Sequence, residues 1–194
     1  MIIGITGGTG CGKTTLLRLI EELGGLILDC DAIYHDLLRK DHGLLAAIET
    51  RFPGTVTDGM LDRKKLGSMV FSDENALLEL NRITHGAVRQ QVLVALERKP
   101  KLAAIDAIGL FEGELAPLCD VTVAITAPRK SRIARLMDRD GISEEYAAKR
   151  IAAQKDDTWF ARNCDYTLQN NGTPEDFRKT CLDFLSTLGI LTKM

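Results

Sequence analysis

Short apolar runs recur along the chain, with helix-patterned stretches between them. "MIIGIT" at the start, "GLILDCD" near 25–31, "KLAAIDA" near 101–107, "DVTVAIT" at 120–126 and "DYTLQN" at 165–170 read as five strands. "KTTLLRLIEEL", after the first run, sets leucine and isoleucine at helical spacing with acids on the other face. Alternation of this kind predicts an α/β fold: a five-stranded, mostly parallel sheet covered by helices on both faces. Right-handed crossovers then place ligands at the carboxyl ends of the strands.

One interval is too long for a single crossover. Between Asp31 and about Lys101 lie some seventy residues of mostly helical character, interrupted by "FPGTVTDG", which reads as turns. Such an insertion is expected over the strand ends. A second helical stretch at 128–154 concentrates Arg129, Lys130, Arg132, Arg135, Arg139, Lys149 and Arg150. Arg132, Arg135 and Arg139 are three and four apart and share a helix face. Gly141 marks a break, and Ser143 before Glu144 and Glu145 is an N-cap for the next helix. Near the end, Thr173 and Asp176 form a capping-box pattern with Asp in the Glu position, and Pro174 suits the first helical turn.

The chemistry begins at "GITGGTGCGKTTLL", residues 4–17. Gly7, Gly12, Lys13 and Thr14 satisfy G-x-x-x-x-G-K-[ST], and the flanking strand and helix are the setting that a phosphate loop requires. Glycines let successive N–H groups turn inward around an anion, and the following helix adds the partial positive charge of its N-terminus. Lys13 is expected to reach the β- and γ-phosphates, and Thr14 to hold Mg²⁺ by its hydroxyl. Cys11, at a helix N-terminus, invites a lowered thiol pKa, although a small side chain tolerated in the loop explains it equally well.

Acids follow at the predicted strand ends. Asp29 and Asp31 flank Cys30, and as alternate residues of a strand both carboxylates would share one face. Asp31 is either a helix N-cap or the base that takes a proton from an acceptor hydroxyl. Asp106 ends the third run, where an acid would hold Mg²⁺ or its waters; a structural Asp is the other reading. "Asp106-Ala107-Ile108-Gly109" also fits the loose D-x-x-G of a switch GTPase, a weak match. The arginine-rich stretch is a solvated face, a nucleic-acid patch or a lid whose guanidinium forks close on a triphosphate; with only Trp159 and Phe160 nearby for stacking, and in an otherwise slightly acidic chain, the lid is favoured.

Composition narrows the classes. The 194 residues carry a formal charge of −2, which argues against a general electrostatic grip on nucleic acid or anionic lipid. No apolar run approaches a membrane span, and the first residues run straight into the phosphate loop without a cleavable segment, so a soluble cytoplasmic protein is expected. Five dispersed cysteines suggest neither a disulfide framework nor a zinc site. His35 and His42 lack the companions of a metal site. The sequence leaves oligomeric state open.

Several motifs together resemble the dephospho-coenzyme A kinase family. "GITGGTGCGKTT" is similar to its phosphate loop, "LILDCDAIYHDL" to its strand ending in Asp-x-Asp-Ala, "DGMLDRKKLGSMVF" to its D-G-x-L-D-R segment and "ITH", with His85, to its I-T-H-P element. "LFE" at 110–112, "RLMDRDGISEEYAAKRIAAQ" and "CDYTLQNNGT" resemble its acceptor loop, lid and final strand. The resemblance implies one P-loop kinase domain over 1–194 in three parts: a nucleotide core (1–31, 101–127 and 165–194), a helical acceptor subdomain (32–100) and a lid (128–164). It implies transfer of the ATP γ-phosphate to the ribose 3′-hydroxyl of dephospho-coenzyme A, with ATP and Mg²⁺ required.

By the same resemblance, Gly8, Thr9, Gly10, Cys11, Gly12, Lys13, Thr14 and Thr15 hold the nucleotide phosphates and Asn170 borders adenine. Asp31 is the base; Arg63, His85, Phe111 and Glu112 face the acceptor; Arg135 and Arg139 are catalytic lid arginines; Thr14 and Asp106 serve the metal. Gly86 and Ile108 stand where the family commonly has proline, which frees backbone in two loops. Two rivals remain at this level: a nucleoside monophosphate kinase on the same core, and a GTP switch. For the switch the nearest guanine-reading string is "Gln154-Lys155-Asp156-Asp157", with Gln in place of Asn.

Overall fold

The computed structural model describes residues 1–70 and 73–191. Two compact units emerge. The first comprises Met1–Ile27, Pro100–Leu110 and the chain from Ala116 onward; the second comprises Leu28–Lys99 and Phe111–Leu115.

The first unit is built on the sheet. Its strands are β1 (Ile2–Thr6), β2 (Leu26–Asp29, whose last two residues pass into the second unit), β5 (Ala103–Asp106), β6 (Val121–Thr126) and β7 (Tyr166–Gln169), in the order β2-β5-β1-β6-β7. β1 runs parallel to β5 on one side and to β6 on the other, with Ile5 opposite Asp106 and Val123, and β6 runs parallel to β7. Every residue of β6 is buried, as a parallel strand covered on both faces demands. The chain leaving β1 emerges where neighbouring strands diverge in connection, which is where open α/β sheets bind ligands.

Helix α1 (Lys13–Glu22) buries Leu16, Leu19 and Ile20, an i, i+3, i+4 stripe, against β5 and α9 (Pro174–Thr187). Phe177, Phe184 and Leu185 of α9 join Ile3, Ile5, Val123 and Ile125 in one core. Each such side chain contributes about 1.5–3 kcal/mol through burial. The Thr173–Asp176 capping box is formed in both directions, with Pro174 in the first turn. Helices α6 (Arg129–Asp140), α7 (Glu144–Ala152) and α8 (Asp157–Asn163) lie between β6 and β7. Gly141 ends α6 in the left-handed region, Ser143 caps α7, and Leu136, Ala147 and Ile151 pin α6 to α7.

The second unit is helical: α2 (Cys30–Lys40), α3 (His42–Arg51), α4 (Arg63–Val70) and the long α5 (Glu74–Leu96). α2, α3 and α4 each pack on α5, which buries Ala76, Leu80, Thr84, Val88 and Val92 at four-residue spacing. "FPGTVTDG" contains more than turns. Val56–Thr57 (β3) and Met60–Leu61 (β4) pair as a small antiparallel hairpin whose two central residues, Asp58 and Gly59, both have positive φ. That is the geometry of a two-residue type I′ turn, for which Asp-Gly is suited. The Glu49 carboxylate accepts from Gly54 N at 2.5 Å and Val56 N at 2.7 Å, and these amides hold it below the usual carboxylate range. Phe71, at the end of the D-G-x-L-D-R segment, lies outside the described residues.

Candidate active site

The loop between β1 and α1 has the conformation of a phosphate nest. Gly7 and Gly12 take φ values of 136° and 101°, out of reach of ordinary L-residues, and Gly12 leads directly into α1. A loop of this form, leading into a helix N-terminus, is the kind of backbone that can surround an anion, and Lys13 adds a positive charge beside it. Its Nζ donates to Gly7 O at 3.2 Å and lies 3.7 Å from Asp106 Oδ1. Thr14 is exposed at the head of α1. Cys11 is 1% exposed, and burial pushes its thiol up despite nearby Lys13, so the sequence's hint of a reactive thiol fails through desolvation.

Side chains from far along the chain brace the outside of this loop. Arg132 Nε donates to Thr9 O at 2.9 Å, and its Nη1 pairs with Asp157 at 3.0 Å. Arg135 Nη1 donates to Gly10 O at 3.2 Å and Cys11 O at 3.3 Å, while Nη2 reaches Asn170 Oδ1 at 3.1 Å. Asn170 Nδ2 donates to Cys11 O at 2.9 Å, and Thr9 N donates to Gln154 Oε1 at 2.8 Å. Arg139 differs from its neighbours: it is exposed and held by Asp140, which also binds Arg150. The shared helix face therefore divides into two arginines on the loop backbone and one on the surface.

The same contacts remove the guanine-reading string. Gln154 holds Thr9, Asp156 caps α8 through Trp159 N, Asp157 pairs with Arg132, and Lys155 lies over the Trp159 ring. Each of its polar groups has a structural task. The role of Gln154 had no local signal in sequence, because its partner is 145 residues away.

In the second unit the aspartates separate. Asp29 is the N-cap of α2, its carboxylate accepting from Ala32 N at 3.0 Å, whereas Asp31 stands exposed in the first helical turn. The strand ends at Asp29, so the strand-face pairing of the two acids does not occur and the capping role falls to Asp29. Asp31 is thereby left clear of the helix's own bonding. Tyr34, one turn along the same face, is half-buried. Burial pushes its phenol above the usual range, and the positive charge of Arg63 opposes that rise. Tyr34 drew no attention in sequence.

His85 and the 111–115 loop meet within this unit. His85 Nδ1 is 3.3 Å from Glu112 O, and Arg89 Nε donates to Glu114 O at 3.2 Å. With Arg82 they line a cavity of about 390 Å³. A larger groove of about 920 Å³ runs along α2 past Asp36, Lys40 and Gln91 but includes none of Asp31, Arg63, His85, Phe111 or Glu112. Gly86 leaves open space where a side chain would stand.

A nucleotide-type phosphate loop at the end of the central strand of a parallel sheet, followed by arginine-bearing helices, defines a P-loop kinase. Residues 1–176 match the family model described as dephospho-CoA kinase. The dephospho-CoA kinase of Geobacillus kaustophilus is 35% identical, with 100% of this chain and 99% of that protein covered. A Thermus thermophilus structure, TT1252, superposes with a TM-score of 0.81 at 32% identity over 100% of this chain and 98% of its own. Dephospho-CoA kinase from Campylobacter jejuni gives 0.68 at 26% identity, with 96% of each chain covered. The chain belongs to the dephospho-CoA kinase family and is an ATP-dependent phosphotransferase. Among the described residues, no helix is long and apolar enough to cross a membrane.

Proposed function

We propose that this enzyme transfers the γ-phosphate of ATP to the ribose 3′-hydroxyl of dephospho-coenzyme A in the cytoplasm. The observation that carries the proposal is an intact phosphate nest, with Lys13 set between Gly7 O and Asp106, in a chain that matches the family over residues 1–176. The amides from Gly8 to Thr15 and Lys13 bind the triphosphate, and Asn170, which braces the loop, borders adenine. Asp31, freed by the Asp29 cap, takes the hydroxyl proton. Arg63, His85, Phe111 and Glu112 orient the acceptor so that its oxygen attacks in line. Arg135 stabilises charge on the transferring group by fixing the loop. Arg139 does so directly, by leaving Asp140.

Magnesium fits the donor set. Among the described residues no cluster of three or more His, Cys, Asp or Glu stands ready for a metal. Mg²⁺ requires no such cage, since it is held by one or two protein oxygens with phosphate and water. The Thr14 hydroxyl and the Asp106 carboxylate are hard oxygen donors of this kind, and the ion would supply neutralisation of phosphate charge.

The test is ADP release with ATP and Mg²⁺, with and without dephospho-coenzyme A, using AMP and CMP as control acceptors. Release is expected only with dephospho-coenzyme A, and Asp31→Asn is expected to abolish most of it while ATP still binds. Equal release with every acceptor would defeat the assignment.

A further inference from the structure

A phosphate nest makes a demand on the far side of its own backbone. Amides that turn inward leave carbonyls turned outward, and carbonyls in a buried loop need donors of their own. Here the donors are side chains, and Thr9 is held from both sides: its carbonyl by Arg132 Nε and its N–H by Gln154 Oε1.

Arg132 is an expensive way to meet that demand. It is 4% exposed, and its Nη2 is buried with no hydrogen-bond partner among the described residues. A buried guanidinium with an unmade hydrogen bond is poor for stability, so stability alone does not account for the residue. Gly8 points the same way. It is not among the glycines with positive φ, so its φ alone does not call for glycine, yet a Cβ there would lie 2.1 Å from Arg132 Nη2 and 2.7 Å from Cζ. A Cβ on Gly10 would come within 2.8 Å of the Arg132 carbonyl oxygen. The side chain missing at Gly8 makes room for the guanidinium rather than for a bend.

We propose that Arg132 is a positioning residue for ATP: with Gln154 it locks the two peptide units that flank Thr9, holding the outer arc of the phosphate loop in nest form before nucleotide arrives. The guanidinium fork serves Thr9 O and Asp157 together, which a single ammonium cannot reproduce. The inference rests on the nucleotide reading of the loop and is independent of which acceptor is used.

The decisive measurement is equilibrium ATP affinity without acceptor, paired with the KM for dephospho-coenzyme A. Arg132→Lys and Arg132→Met should each weaken ATP about tenfold or more, as expected for loss of a charge-assisted hydrogen bond. Gln154→Ala should weaken it less, and the KM for dephospho-coenzyme A should stay at its wild-type value throughout. Gly8→Ala, by displacing the guanidinium, should match Arg132→Met, and the double variant should be no worse than either alone. A lower Tm with ATP affinity retained would overturn the proposal, as would independent, additive effects of Gly8→Ala and Arg132→Met. If Arg132→Met does not fold by circular dichroism, Arg132→Lys and Gly8→Ala carry the test. A wild-type protein that binds ATP but ignores dephospho-coenzyme A removes the proposed function and leaves this inference standing.

Discussion

The two compact units treat charge in opposite ways. In the first, polar side chains are drawn inward around one loop: Arg132, Thr9 and Asn170 are all buried, and each is bonded to loop backbone or supplied by it. In the second, charged groups stay at the surface. Asp36 is paired with Arg39 and Lys40, and Arg51 with Glu79, all with side chains that reach solvent, and solvated pairs contribute little. The difference separates two ways of binding. A loop whose backbone must be held in a strained shape needs its ordering cost met before the ligand arrives, whereas a helical surface can keep its charged groups solvated until a ligand displaces the water. Substitutions in the first unit should therefore act on ATP, and those in the second on the acceptor.

The sharpest way to break this division is Lys13→Met. It should lower kcat/KM by roughly 10³-fold, the scale of losing a preorganised charge at the transferring phosphate, with the fold intact by circular dichroism. Residual activity within tenfold of wild type would sink the assignment of the loop. Asp31→Asn comes next, with kcat down by roughly 10²-fold or more and ATP affinity unchanged. A parallel loss of ATP affinity would show that Asp31 belongs to the nucleotide side. His85→Ala should raise the KM for dephospho-coenzyme A about tenfold, in line with one lost polar contact to a charged ligand. A shift in ATP affinity instead would erase the contrast between the units.

Leu16→Ala tests the first unit's frame rather than its chemistry. Leu16 is fully buried between the sheet and α9, so about 2–5 kcal/mol of stability should be lost in urea unfolding. ATP affinity of the folded fraction should be largely kept, since the loop is braced from Arg132, Arg135 and Asn170 and only its trailing helix is loosened.

How much of this was legible follows from the range of the interactions. Strands, the phosphate loop, the Ser143 cap and the Thr173–Asp176 box are local patterns, each readable within a few residues. The five strands of the sheet and its parallel pairings followed from alternation alone. The Asp29 and Asp31 reading failed by one turn of geometry: alternation along a strand assumed that the strand continued, and the Asp29 cap ended it. Arg132 was visible only as one arginine among three on a face, because spacing says which residues share a face and not which carbonyls they meet. Gln154 and Tyr34 left no local trace, since their partners lie 145 and 29 positions away.

The smallest expected effect lies on the surface of the first unit, at Asp140. Its carboxyl is held down at about 2 from 3.8, first by the Arg139 hydrogen bond and then by Arg150. Because the folded pKa is the lower one, the folded chain binds this proton less readily than the unfolded chain. The pairing therefore supports the fold fully above about pH 3.8 and is lost as pH falls through about 2. The gap in Tm between wild type and Asp140→Asn should thus be small at pH 7, narrow as pH drops below about 3.8, and shrink likewise in high salt, since both side chains reach solvent. The same variant releases Arg139. If Arg139 leaves Asp140 to reach the triphosphate, as proposed, Asp140→Asn should leave kcat equal to or above the wild-type value even as it costs stability. A fall in kcat at unchanged ATP affinity would show instead that Asp140 holds Arg139 in its working position, and would place this surface pair with the preorganised groups of the loop.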